Sequence, residues 1–496
     1  MMGQEPGTLD TDFQDGGILL LAPFGATSFE NAQDVIALND GSIVFCGVVG
    51  TVSNFDVAVL KLDPEGNLDP AFGTDGAFVF ENDLSSDQAY SMAALPDGRI
   101  IVGGAMGFGG SDYRATVWCL LPDGTPDPDF GTEGRFQYTF GDGEEYIRRV
   151  LVTNTHITMV ATVKVPGFSY DRTGLVQCTH DGVLDQGFGQ DGAIIHTIDD
   201  TTDLSVRDGE RMSNGGIAVC GYHYNMTDNT EYPFIGLFDA AGQPQAGFGN
   251  GGIIIADNQP GEYFAMATAG DILYFAGRTN GDVRDFMIDA LHTDGTTYTP
   301  FAVYGHFELD NALTDLILDL VIDEEGRLLA SGTSGIPGFF GDRDFALLRL
   351  LPDGTPDPLF GTDGLTTTTF GEAFDDANAL VITPENKAVL VGMSAQTNND
   401  FAIARYILGP VIDGVEESVA QFSVYPNPTD NVLHMAHSEH LTEWSIRTPL
   451  GQTIEAGALD QSGQMTLGLS HIPSGAYILT LETPHGPQTQ RIFVQH

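Results

Sequence analysis

A short pattern of the form Leu-Asp-x-x-Phe-Gly-x-x-Gly returns along this chain at a near-constant interval, and that period constrains the fold more than any other feature. Its phenylalanine is Phe13, Phe72, Phe130, Phe188, Phe248 and Phe360, giving intervals of 59, 58, 58, 60 and 112 residues. The last interval is two units of 56, so one copy falls near Phe301, where Thr293-Asp294-Gly295 survives and Phe-Gly is lost. A period of this length marks a supersecondary unit that cannot bury its own apolar face and must be stacked on copies of itself.

Two further patterns keep the same period. One is a turn, an apolar strand and a glycine, as in Asp97-Gly98-Arg99-Ile100-Ile101-Val102-Gly103-Gly104. The other is an apolar strand closed by Pro-Asp-Gly or a relative, as in Asp344 to Gly354. Both count to seven. Two more short β-like runs lie in each unit, for example Ala77 to Phe80 and Ala89 to Leu95. A unit thus reads as four strands, A to D in chain order, joined by Gly, Asp and Pro turns. Several strands are apolar on both faces, as sheets covered by neighbouring sheets must be. The predicted fold is all-β: a seven-bladed β-propeller of four-stranded repeats over residues 8–408, preceded by an N-terminal extension of residues 1–7. An open β-solenoid is the competing architecture. If the ring closes through shared strands, Ile18-Leu19-Leu20-Leu21 should pair beside a strand of the last unit.

These residues resemble the delta-60 repeat family of bacterial surface and secreted proteins. Its units carry a strand after Asp-Gly, a strand of the Asp-Phe-Ala-x-x-Arg type and a Leu-Asp-x-x-Phe-Gly turn. The likeness spans residues 8–408. It implies a propeller-like fold and no catalytic activity.

Residues 409–420 read as a linker, and beyond it the chemistry changes. Residues 421–496 carry six acids and two arginines, a net −4 that leaves −46 on the rest of a chain of formal charge −50. Seven short alternating strands there suit a small Ig-like β-sandwich. The segment resembles the type A C-terminal sorting domain of the type IX secretion system of Bacteroidota. The residues that carry the likeness are Tyr425-Pro426-Asn427-Pro428, Leu450-Gly451-Gln452, Ser474-Gly475-Ala476-Tyr477 and a final Arg491-Ile492-Phe493-Val494 strand. The resemblance implies an extracellular or outer-membrane-surface location, with the type IX machinery as this domain's partner. No basic patch with an apolar core precedes Glu5, and the residues from there read as a mature start.

The charge arises from 69 acidic and 19 basic side chains, a surface that repels nucleic acid and anionic membranes. No apolar run is long enough to span a bilayer. Cys46, Cys119, Cys178 and Cys220 sit in apolar strand patterns without metal-site spacing and read as buried free thiols. No His-Glu-x-x-His, Gly-x-Ser-x-Gly, P-loop or EF-hand spacing occurs. The glycine-rich run Gly103 to Gly110 is expected between two strands, with no helix to offer a phosphate. His434, His437 and His440 are expected in a solvent-facing loop of the C-terminal module. Turns such as Asp123 to Asp129 offer oxygens to Ca²⁺, the one cofactor the sequence leaves open. A segment present in nearly every unit, however, is there because every unit needs the same turn.

Two functional classes follow: a non-catalytic binding or scaffold module, which is favoured, and an extracellular hydrolase or lyase acting on polysaccharide. In an antiparallel meander the repeated B–C and D–A turns share one end of each sheet, and the A–B and C–D connections, which all differ, share the other. The variable end is the predicted ligand face. Its C–D loops hold Phe108, Tyr113, Phe168, Tyr170, Tyr222, Tyr224, Tyr232, Phe339 and Phe340, and its A–B loops hold Asp83, Asp87, Glu144, Glu145, Asp199, Asp200, Asp375 and Asp376. Aromatic faces beside carboxylates suit a glycan or a cationic ligand.

Overall fold

The computed structural model describes residues 5–25, 27–51, 54–82, 85–110, 112–141, 143–164, 170–198, 202–281, 283–310, 313–336, 342–371, 374–395 and 399–409, then 422–425, 429, 431–437, 443–448, 453–458, 464–473, 475–483 and 486–494. The chain divides into two compact units, Met1–Gly409 and Pro410–His496. The expected linker therefore lies, apart from Gly409, outside the described residues.

The first unit is built of seven four-stranded antiparallel sheets. Blade 1 holds Phe29–Ala37, Ile43–Thr51, Asn54–Leu62 and Ala77–Phe80, hydrogen-bonded in that order. The first strands of the seven blades are Phe29–Ala37, Gln88–Ala94, Glu145–Val152, Ser205–Arg211, Gly261–Ala269, Thr314–Ile322 and Asp375–Ile382. Each lies against the next, and the last returns to the first, so they form the inner wall of a closed ring. A blade thus contains the B, C and D strands of one sequence unit and the A strand of the next.

Closure comes from the N-terminus. Blade 7 takes its outer strand from Ile18–Leu21, which pairs antiparallel with Asn399–Ile407, Ile18 opposite Ala404 and Leu21 opposite Phe401. The expected pairing of that run with the last unit is what the structure contains. Upstream, the Gly7 N–H donates to the Ile407 carbonyl at 2.8 Å, the Gly361 N–H to the Pro6 carbonyl at 3.2 Å, and the Arg405 Nε to Asp10 at 2.9 Å. Residues 6 and 7, expected as an extension, are bonded into the ring.

Seven hydrophobic clusters lie between neighbouring blades, which explains strands apolar on both faces. Along Ile43–Thr51, Ile43 and Phe45 pack toward blade 7 while Val44 and Cys46 pack toward blade 2, because successive strand residues point to opposite faces. Each of these clusters contains one phenylalanine of the repeated turn: Phe13, Phe72, Phe130, Phe188, Phe248, Phe301 and Phe360. All are 2 % exposed or less. Phe301 fills the place of the copy expected near it, and the Ala302 N–H donates to the Asp353 carbonyl at 2.7 Å, as the Gly73 N–H does to that of Asp123. The glycine of the Asp-Gly turn in the next blade rests on this ring; a Cβ at Gly66 would lie 2.5 Å from Phe13. The repeated sequence is therefore the interblade plug and its seat. All four cysteines are buried free thiols.

The second unit has a three-stranded sheet, Phe422–Tyr425, Val432–His437 and Gln464–Gly468, and a four-stranded one, Thr453–Ala458, Glu443–Arg447, Gly475–Thr483 and Gly486–Val494. Leu433 and Leu467 from the first sheet meet Trp444, Ile446, Leu479 and Ile492 from the second in one core, the arrangement of a β-sandwich. Tyr425 stands half-exposed beside His434, and Tyr477 donates its hydroxyl to the Pro473 carbonyl at 2.9 Å. Gly475 opens its strand, whereas Pro426, Asn427, Pro428 and Gly451 lie outside the described residues. His434 and His437 are on a strand rather than in the expected loop, and His440 is outside the described residues.

Candidate functional site

Each inner strand carries a β-bulge at the same repeat position, between Ala32 and Asp34 in blade 1 and between Ala377 and Ala379 in blade 7. The reason is local. On the neighbouring strand the residue opposite is glycine in six blades, and a Cβ there would fall on a carbonyl oxygen: 1.8 Å from that of Gln88 at Gly104, 1.8 Å from that of Leu316 at Gly332. Gly103 to Gly107 accordingly belong to the strand Ile100–Gly107 and not to a loop between strands, as the sequence reading had it. A bulge adds one residue and re-aims its side chain. The seven bulge residues are Gln33, Tyr90, Arg148, Arg207, Phe264, Leu318 and Asn378, and all line the axial cavity.

Below them Arg149 stands among three buried carboxylates, its Nε 3.3 Å from Asp208 and a terminal nitrogen 3.9 Å from Asp34. Each carboxylate accepts a backbone N–H from the following blade: Met92 on Asp34 at 2.6 Å, Met266 on Asp208 at 2.8 Å, Leu380 on Asp319 at 2.7 Å. Burial raises the Asp319 pKa to about 7 against the opposing pull of Arg149. This layer is committed to joining blades.

Above it, at the variable end and between blades 2, 3 and 4, a pocket of about 340 Å³ opens. It is lined by Gln88, Tyr90, Tyr113, Tyr146, Arg148, Thr162, Lys164, Asp171, Ser205, Arg207 and Tyr222. The Arg148 guanidinium lies over Tyr90, 4.4 Å from the ring centroid, and 5.3 Å from that of Tyr146. Arg207 lies 5.0 Å from Tyr222 and 5.5 Å from Phe264. Tyr146 meets Tyr113 at 5.4 Å and Tyr90 edge-on at 6.3 Å. Lys164 is paired with Glu144 at 2.7 Å, and Glu144 also accepts the Tyr146 hydroxyl at 3.1 Å. Burial lowers the Arg148 pKa, and the like charge of Arg207 works in the same direction, while the Tyr90 hydroxyl opposes both.

Of the residues predicted for the ligand face, Tyr113 and Tyr222 line this pocket. Tyr224 and Tyr232 lie toward the tip of the Ile217–Asn225 and Thr230–Phe238 hairpin, bonded locally to Asn229 at 3.3 Å and Asp228 at 3.0 Å. Tyr170 lies beside Arg172, 5.6 Å from its guanidinium carbon. Phe168, Phe339 and Phe340 are outside the described residues. Of the loop carboxylates, Asp87, Glu145 and Asp375 are buried at the inner-strand starts, accepting the N–H groups of Gly107 at 2.9 Å, Gly141 at 2.8 Å and Phe370 at 2.7 Å, whereas Asp83, Asp199 and Asp200 lie outside the described residues. Sequence reasoning missed Tyr90, Tyr146, Arg148 and Arg207. Counted from the turn phenylalanine, Tyr90 and Arg148 stand 18 residues on and Arg207 stands 19 on, so the two arginines of neighbouring units fall within one residue of a shared repeat position in a very acidic chain.

In the Asp123 turn, Asp123 accepts the N–H and hydroxyl of Thr125, and Asp127 accepts the Asp129 N–H and pairs with Arg99 at 2.8 Å. Those oxygens serve the turn. Among the described residues no three His, Cys, Asp or Glu side chains gather to hold a metal ion.

A closed ring of seven four-stranded blades with a polar axial mouth is a β-propeller. Residues 38–72, 95–130 and 326–360 match the family model described as "Domain of unknown function (DUF5122) beta-propeller", and residues 423–495 match that described as "Secretion system C-terminal sorting domain". The chain is a β-propeller protein with a secretion-system sorting domain at its C-terminus, and that domain implies export to the cell surface or the extracellular space. Similar solved structures include the β-propeller domain of the trilobed protease from Pyrococcus furiosus (9 % identity, 79 % of this chain and 99 % of that one, TM-score 0.40) and Sqt1 from Chaetomium thermophilum (12 %, 77 % and 97 %, 0.41). An acylaminoacyl peptidase matches at 10 % identity over 82 % of this chain, TM-score 0.40, and the chain spans 58 % of that protein's length. No curated protein matches the chain. No helix among the described residues is long and apolar enough to cross a membrane.

Proposed function

We propose that this chain is an exported, non-catalytic binding propeller, delivered by the type IX machinery, whose variable mouth between blades 2 and 4 takes a saccharide. The observation that carries the reading is the pocket of about 340 Å³ with four tyrosines on its walls, a size and surface suited to one or two sugar rings. Its position supports the same reading, since the opposite end is occupied by the plug turns. Glycoside hydrolysis needs two carboxylates flanking the bond, and among the described lining residues Asp171 is the one carboxylate.

The test is a glycan array with the purified propeller, followed by titration of the hits. Replacing Tyr146 and Tyr222 with Ala should weaken binding about tenfold, the worth of two lost stacking faces, while Tyr224→Ala with Tyr232→Ala leaves it unchanged. The reverse result moves the site to the hairpin tip. Release of shortened product that stops in Asp171→Asn would replace the binding reading with the hydrolase or lyase one.

A further inference from the structure

Two of the pocket's cations lack the carboxylate partner that most cations among the described residues have. With 69 acids to 19 bases, carboxylates are abundant, and Arg99, Arg278 and Arg343, for example, are each paired with one. Among the described residues no carboxylate lies within ion-pair distance of Arg148 or Arg207, and the Nε atom of each is buried without a hydrogen-bond partner. They come from the same bulge position of adjacent blades and face one pocket. A cation held without a counter-charge is costly to keep, and an anion entering the pocket supplies one at the terminal guanidinium nitrogens, the buried Nε atoms being closed to it. The tyrosines cover the guanidinium faces and leave the N–H edges, the side from which a planar anion is bound by two parallel hydrogen bonds.

We propose that the mouth pocket is specific for an acidic saccharide, with Arg148 and Arg207 clamping its carboxylate or sulfate while the tyrosines stack its ring. This rests on the mouth being the saccharide site and names the class of sugar. A neutral sugar would occupy the same walls and leave both guanidiniums unpaired. A long polyanion is disfavoured, because the −46 charge outside the sorting domain repels it and the pocket holds only a short segment. The ligand is a short acidic oligosaccharide or the acidic end of a chain.

The experiment is calorimetric titration of the whole protein with trigalacturonate, its methyl ester, galactotriose and a sulfated galactotriose. The acid or the sulfate should bind at least about tenfold tighter than ester and neutral sugar, as loss of a charge-assisted hydrogen bond requires, and the stronger of the two identifies the anion. Arg148→Gln or Arg207→Gln should bring acid and ester to equal affinity, whatever each variant does to the ester. Equal binding of ester and acid by the unaltered protein overturns the acidic class while the saccharide mouth survives. A preference for acid that persists in both variants places the clamp elsewhere and overturns the assignment. Failure of all four ligands to bind overturns both readings.

Discussion

The residue that follows each plug phenylalanine stands in the left-handed region of backbone space. Gly73, Gly131, Gly189, Gly249 and Gly361 have φ between 52° and 59°, whereas Gln14 and Ala302 hold φ 38° and 45° with side chains. An L-residue there costs about 1–2 kcal/mol, and a glycine gives back about 0.4–1 through its freer unfolded chain. Ala302→Gly should therefore raise the stability of the propeller by up to about 1 kcal/mol, read as a higher urea midpoint. Gly361→Ala should lower it by more, since its Cβ would also fall 2.4 Å from the Leu365 carbonyl oxygen. A lower midpoint for Ala302→Gly would show that the turn near Phe301 is not the same device as its six relatives.

At the scale of the element, closure turns on one short strand and one ring. Phe13 is 1 % exposed in the core between blades 7 and 1, as Phe130 is fully buried between blades 2 and 3, but Phe13 arrives on the N-terminal segment rather than within a continuous blade. If the seam is as tight as the interior interfaces, Phe13→Ala and Phe130→Ala should each cost about 3–5 kcal/mol in urea unfolding. A cost near zero for Phe13→Ala alone would mean that the ring opens at the seam. The repeat was legible because each plug, seat and bulge-facing glycine solves the same steric problem in blade after blade. Blade boundaries were not, because a covalent period has no phase: Ala77–Phe80 ends one blade and Gln88–Ala94 begins the next. Of the pocket residues, Tyr113 and Tyr222 were named in advance. The bulge repeats as backbone, and its side chains, from Gln33 to Asn378, share no chemistry that a pattern could register.

Across the whole molecule, buried carboxylates give stability a definite dependence on pH. At the inner-strand starts burial raises Glu30 to about 8, Asp87 to about 6, Glu145 to about 7, Asp203 to about 6 and Asp375 to about 6, and Asp319 on the axis to about 7. In the unfolded chain these groups titrate near ~4. Between pH ~4 and each folded value the native state binds the extra proton, so stability grows as pH falls through 8 to 6 and has been gained in full near ~4. Relief of self-repulsion in so acidic a chain acts in the same direction. A second set opposes it at the acid end: hydrogen bonds from Ser42, Lys61 and Arg99 lower Asp40, Asp69 and Asp97, and their contribution is lost as pH falls through the folded values. The melting temperature should therefore peak in mild acid, near pH ~5, and fall steadily toward pH ~8.5. Glu145→Gln with Asp375→Asn keeps an oxygen for the Gly141 and Phe370 amides and removes two of the charges. That variant should melt higher than the parent at pH ~8.5, match it near pH ~5, and show a flatter profile between. Scanning calorimetry across the series decides the matter, and a melting temperature that rises from pH ~5 to ~8.5 would show that the inner ring is ionised without penalty in the folded propeller.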